Sequence, residues 1–283
     1  MDYDPRKTAL LHPELQPPFF QSGQQWERRA LCAELSRLAY FRFECDDAAR
    51  AAVTAALGQV GLAGLRFFCA ADTDTQAFAT ISNDGLSAYL AFRGTQVDAV
   101  GDLRTDLDFR LTGWDGAGRV HAGFHAAFRS VRDDVIAWAE QQGGASICIT
   151  GHSLGAALAT LAAAALPRAC LLTFGSPMVG DAEFAASFAG RECSRFVDCC
   201  DAVTFVPPEM LGYRHLEPHS YINRHGVVVP GLSAAEVEMD RTAARALYVA
   251  QLAALPDNVP LRDLADHAPL NYLRAMPVPA KLR

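Results

Sequence analysis

Lysine is nearly absent from this chain of 283 residues, like charges never gather into a block, and no stretch reaches about eighteen uncharged apolar residues. Each absence removes a class of function. The net charge of -7 is spread over mixed acids and bases, so no surface that tracks a phosphate backbone is expected, and nucleic acid is not an expected partner. Without a long apolar run, no membrane-spanning helix is predicted. The opening segment MDYDPRKTALLHPELQPPFF has early acids and scattered prolines in place of a basic start and an unbroken apolar core, so it does not read as a signal peptide. These features predict a soluble protein, cytoplasmic or exported without a classical signal peptide. The alanine-rich, lysine-poor composition leans toward a bacterial source.

Cysteine is present, eight times, at 32, 45, 69, 148, 170, 193, 199 and 200, but CxxC pairs and regular spacing are lacking. A zinc ribbon or compact disulfide scaffold is therefore not expected, and buried free thiols are. With 51% hydrophobic residues the chain can bury one large core. The expected organisation is a proline-rich N-terminal arm over residues 1–23, followed by a single domain over 24–283.

Along that domain, Leu31, Leu35 and Leu38 recur at helical spacing, and an alanine-rich helix is predicted around 47–57. Three short runs rich in aromatic and β-branched residues follow, LRFFCAA, AFATISN and SAYLAFRG, the last two separated by the turn Asn83-Asp84-Gly85. A helix near 121–141 leads through Gly143-Gly144 into a buried-type strand at 145–150. Helix 154–165, strand 170–174, helix 181–189 and strand 194–199 come next, with a strand-like VVVP run and an alanine-rich helix in 226–260. Strands alternating with helices imply an α/β fold with a mostly parallel central sheet and helices on both faces.

Between the strand at 145–150 and the helix at 154–165 stands Gly151-His152-Ser153-Leu154-Gly155. In that setting G-x-S-x-G forms a nucleophile elbow, whose glycines let strand and helix approach around a strained serine. A serine hydroxyl is a weak nucleophile, so Ser153 needs a general base and a carboxylate to orient it, and in this fold class acid and base follow the serine in that order. Asp198 and Asp201 both sit where a strand leaves the sheet. Asp201, which precedes an apolar run and Pro207-Pro208, is the better placed, because Asp198 lies within the strand pattern. His215, His219, His225 and His267 follow Ser153. His267, late in the chain, is the preferred base, with His215 behind it. The developing oxyanion needs two donors: the amide of Leu154 and, after the strand ending in Phe92-Arg93-Gly94, Thr95.

Taken together, AFRGT, VHAGF, TGHSLGAALA, TFGSPMVGD, DAVTFVPP and a late DHxxxxY stretch resemble the class 3 lipase family in order and content over residues 85–275. The resemblance implies an α/β-hydrolase fold and a cofactor-free serine carboxylic-ester hydrolase. It carries the triad roles onto Ser153, Asp201 and His267 and the oxyanion donor onto Thr95. Lipid or other small esters are the implied substrates, with transient contact to a lipid surface. The segment 96–119, where relatives carry a lid, is rich in Asp and Arg and holds Trp114 late, beside Gly113, so strong interfacial activation is not implied.

Several readings compete with this one. His121 with His125, and His215 with His219, are spaced to share a helical face, but neither pair has the glutamate or third ligand of a zinc site, so no metal is expected. His152 reads as a packing residue. A phospholipase A1, a galactolipase, a feruloyl-type esterase or an acyltransferase would use the same triad. A binding module on this fold would lack a triad member, and all three have candidates here.

Overall fold

The computed structural model describes residues 1–94 and 109–279. Among them an eight-stranded sheet is built from β1 (Leu62–Ala70), β2 (Thr75–Ser82), β3 (Ser87–Phe92), β6 (Ser146–His152), β7 (Cys170–Phe174), β9 (Cys193–Asp198), β11 (His219–Ile222) and β12 (Val228–Val229), in that spatial order. The pairs from β3 to β11 are parallel, while β1, β2 and β12 attach antiparallel at the edges. Both faces are covered, so the central strands are buried on alternate sides. Ile149 and Leu171 join one core with Phe124, Phe128, Trp138, Leu158 and Leu161. Cys148, Cys170 and Leu172 join another with Ala30, Cys32, Phe174 and Tyr272. The mostly parallel sheet is the one expected from the alternation of strands and helices, and the arrangement is that of the α/β-hydrolase fold the resemblance implies.

A second, four-stranded sheet unites β4 (Leu111–Gly113), β5 (Arg119–His121), β8 (Gly180–Asp181) and β10 (Tyr213–Arg214). Strands of two or three residues carry no readable period, so this small sheet has no signature in the sequence. The helix expected over 121–141 divides into α4 (Ala122–Arg129) and α5 (Arg132–Gln141). At the break the Ser130 hydroxyl lies 2.7 Å from the Ala127 carbonyl and 2.7 Å from Thr73 Oγ1, a local alternative to the helical ladder. The helix expected at 181–189 shortens to α7 (Ala182–Ala186), where the Asp181 side chain accepts from the Phe184 amide and caps it.

The first twenty residues make specific contacts with the rest of the chain. The Tyr3 hydroxyl donates to Asp266 at 2.7 Å, and the Asp4 amide donates to Asn271 Oδ1 at 2.9 Å. The fully buried guanidinium of Arg37, on α2 (Arg28–Leu38), pairs with Glu34 and donates to the carbonyls of Pro13, Gln16 and Pro17. A buried charge needs such partners, so the charge on α2 ties this segment down.

Candidate active site

Strand β6 ends at His152, and helix α6 (Leu154–Ala165) begins two residues later. Between them Ser153 takes φ 58° and ψ −130°, a conformation that costs a non-glycine residue on the order of 1–3 kcal/mol and persists only when packing imposes it. Here the imposing packing is glycine-dependent. A Cβ at Gly151 would overlap the Gly155 carbonyl, and one at Gly155 would overlap the Phe92 carbonyl and lie 2.8 Å from the Arg93 carbonyl carbon. The two glycines therefore let α6 press onto both β6 and the end of β3, and the Ser153 amide is tied to the Phe174 carbonyl at 3.0 Å.

Two other chain segments then converge on the serine. Its Oγ lies 2.8 Å from His267 Nε2, and His267 Nδ1 lies 2.9 Å from Asp201 Oδ2. All three side chains are buried. Asp201 follows β9 by three residues, and His267 stands between the short helix α9 (Arg262–Ala265) and α10 (Pro269–Arg274). Asp201 Oδ1 accepts from the Val203 amide at 2.9 Å, and Oδ2 accepts from the Tyr272 hydroxyl at 2.6 Å. Burial and the facing Asp201 carboxylate push the Tyr272 phenol well up, so it serves as a donor. Between acid and base, Gly175 has φ +60°, and a Cβ there would sit 2.8 Å from Asp201 Oδ2 and 3.1 Å from His267 Nδ1. Chemically, such a chain can take the proton of a serine hydroxyl and stabilise the imidazolium that forms.

The remaining candidates fall in different places. Asp198 ends β9 fully buried, and its carboxylate oxygens have no hydrogen-bond partner among the described residues. Burial and the neighbouring Asp266 hold it well above the usual carboxylate range, which suits a neutral acid and not an orienting carboxylate. His215 gives its Nε2 proton to the Thr204 carbonyl at 2.6 Å, His219 pairs with Glu217, and neither bonds to Ser153. Leu154 stands at the first position of α6, where helix geometry leaves the amide without an intrahelical acceptor. Thr95 lies outside the described residues, as does most of the acidic segment after it. Trp114, from the end of that segment, is half-buried and packs against Phe128, Phe184 and His125.

His152 was expected to pack, yet it is a polar link. Its Nε2 is 2.7 Å from the His267 carbonyl and its Nδ1 is 2.8 Å from the Tyr40 hydroxyl. His121, one of the spaced pair, caps α4 by accepting from the Gly123 and Phe124 amides. Among the described residues, Cys199, Cys200 and Asp266 bring possible metal ligands within 4.8 Å of one another. The Asp266 oxygens there already accept from Tyr3, the Cys200 amide and Arg262, whose cation neutralises the carboxylate.

The sheet order and the strained serine between β6 and α6 define an α/β-hydrolase. Residues 89–211 match the model of the lipase (class 3) family. It is 33% identical over 163 residues to a secreted mono- and diacylglycerol lipase A of Penicillium cyclopium, covering 53% of this chain and 52% of that protein. A lipase of Rhizopus niveus is 32% identical over 167 residues, covering 53% of this chain and 42% of that one. Among solved structures, lipase II from Rhizopus niveus is similar with a TM-score of 0.56 and 26% identity, covering 68% of this chain and 77% of that chain. The chain thus spans about half the length of the curated relatives it matches. These relatives are fungal and give no support to a bacterial source. Among the described residues, no helix is long and apolar enough to cross a membrane.

Proposed function

We propose that the protein is a serine carboxylic-ester hydrolase that cleaves acyl esters through an acyl-enzyme, with acylglycerols as the substrate class. The observation that carries this reading is the unbroken chain from Ser153 Oγ through His267 to Asp201, with the serine held at positive φ on a strand-to-helix turn. The name of the Penicillium relative, a mono- and diacylglycerol lipase, supplies the substrate class.

In this mechanism Ser153 Oγ attacks the ester carbonyl carbon while His267 Nε2 takes its proton, and the carbonyl oxygen becomes an oxyanion that accepts from the Leu154 amide and from the second donor the sequence assigns to Thr95. Asp201 holds the imidazolium by its Nδ1–H, and Tyr272 and Val203 fix the carboxylate. Collapse of the tetrahedral intermediate breaks the bond to the alcohol, which leaves with the proton from His267. Water then attacks the acyl-enzyme and gives its proton to His267, and Ser153 recovers that proton as the fatty acid departs. No cofactor is needed. Transient contact with a lipid surface fits the substrate, although Trp114, packed inward, is a poor membrane anchor.

Treating the protein with a p-nitrophenyl alkylphosphonate should add one phosphonyl group at Ser153, release p-nitrophenol, and abolish hydrolysis of p-nitrophenyl esters. Ser153→Ala should show neither adduct nor turnover. An unmodified wild-type mass beside a reacting control hydrolase would overturn the proposal.

A further inference from the structure

Behind the serine elbow, two buried polar side chains join segments that are far apart in sequence. Tyr40 follows α2, and its hydroxyl is 2.8 Å from His152 Nδ1, while His152 Nε2 is 2.7 Å from the backbone carbonyl of His267. A carbonyl oxygen only accepts, so Nε2 carries the imidazole proton, and the bare Nδ1 accepts from the Tyr40 hydroxyl. Burial, with His267 nearby, pushes His152 well below its ordinary range, so the ring is neutral and this tautomer is fixed by its two partners. The His152 and His267 rings stand 4.5 Å apart at 37°. A neutral neighbour leaves His267 free to become cationic.

The same hydroxyl touches a second part of the site. A Cβ at Gly94 would overlap the Tyr40 hydroxyl and lie 2.7 Å from the His152 carbonyl. The glycine of the FRG motif is therefore needed at a backbone that passes between Tyr40 and the elbow, and Gly94 immediately precedes Thr95. Tyr40 thus stands against the segment leading to the expected oxyanion donor, and through His152 it bonds to the residue expected to act as base.

We propose, resting on the serine-hydrolase reading, that Tyr40 and His152 are positioning residues that fix the height of His267 and the approach of the Gly94 segment relative to Ser153. They touch neither substrate nor the reacting atoms. Their effect falls on the geometry of proton transfer, which governs turnover more than substrate binding.

The test compares wild type, Tyr40→Phe, His152→Leu and His152→Gln on soluble p-nitrophenyl butyrate, with rates per site titrated by the phosphonate and with melting temperatures alongside. In Tyr40→Phe, kcat should fall about tenfold to a hundredfold with KM within about twofold of wild type. His152→Leu should fall at least as far, and His152→Gln, which places an amide N–H where Nε2 stood, should recover most of that loss. A Tyr40→Phe kcat within about twofold of wild type would overturn the proposal, as would equal losses in the Gln and Leu variants, which decide the matter if Tyr40→Phe does not fold. Nitrogen-15 spectra of labelled histidine give a readout independent of turnover. His152 should show a protonated Nε2 and a bare, hydrogen-bonded Nδ1, and Tyr40→Phe should shift the His267 resonances. Unmoved His267 resonances would overturn the proposal even if the wild type hydrolysed no ester, an outcome that on its own would instead sink the hydrolase reading.

Discussion

Acid and base meet across a residue with no side chain. Gly175 sits at φ +60°, and any Cβ there would press on both Asp201 Oδ2 and His267 Nδ1. In Gly175→Ala the Asp201–His267 contact must open or the backbone must shift, and misplacement by even an ångström costs catalysis heavily. We expect kcat to fall by about a hundredfold, while the protein stays folded with a loss of roughly 1–3 kcal/mol from the imposed backbone strain. Steady-state kinetics and urea unfolding on the same preparation would check this, and a variant with unchanged kcat would refute it. The sequence made part of this site legible. Ser153 is announced by its two glycines, while chain order only narrows acid and base to residues after it, with the run to Pro207-Pro208 favouring Asp201 and the late position favouring His267. Tyr272 stood inside the quoted DHxxxxY stretch, but only packing reveals that it holds Asp201. Nothing in the sequence pointed to Tyr40, because its partner lies 112 positions away and a lone tyrosine after a helix has no distinguishing pattern.

The elements most legible in sequence were those whose length let a period show. The strand–elbow–helix unit appears at Ser146–His152 and Leu154–Ala165, within a residue or two of expectation. The split of the 121–141 helix was hidden because it depends on Ser130 reaching Thr73, a contact between segments. The helix α8 (Ala234–Gln251) shows how local chemistry can set a boundary. The Ser233 side chain accepts from the Glu236 amide, and the Glu236 carboxylate accepts in return from the Ser233 amide at 2.8 Å. Removing the hydroxyl in Ser233→Ala should cost about 1 kcal/mol. The cap is exposed and far in sequence from the elbow, so kcat should not change. Thermal melting would reveal a drop of about 2–4 °C, and an unchanged melting temperature would mean that α8 is held by packing alone.

At the scale of the whole molecule, stability should depend on pH through histidines that are buried neutral. His215, second in line as base by sequence, is the clearest case. Its Nε2 proton goes to the Thr204 carbonyl, and burial together with the Arg195 guanidinium pushes it down to about 3. An unfolded histidine titrates near 6.5, at about its unperturbed value. Between those two values the unfolded chain binds a proton that the folded chain excludes, so stability rises with pH across that window. The contribution is fully present above the unfolded value and is lost as pH falls toward the folded one, at up to about 1.4 kcal/mol per pH unit. Below it both states carry the proton and the loss stops growing. Asp198, raised by burial and by Asp266, works in the opposite sense, so the total curve mixes signs and the His215 part must be isolated by difference. His215→Gln keeps an N–H donor for Thr204 and removes the titration. Urea unfolding at a series of pH values should find wild type losing about 2 kcal/mol relative to this variant between neutrality and pH near 5. A difference that stays flat would mean that His215 is protonated in the folded protein, which its burial and the cation beside it both oppose.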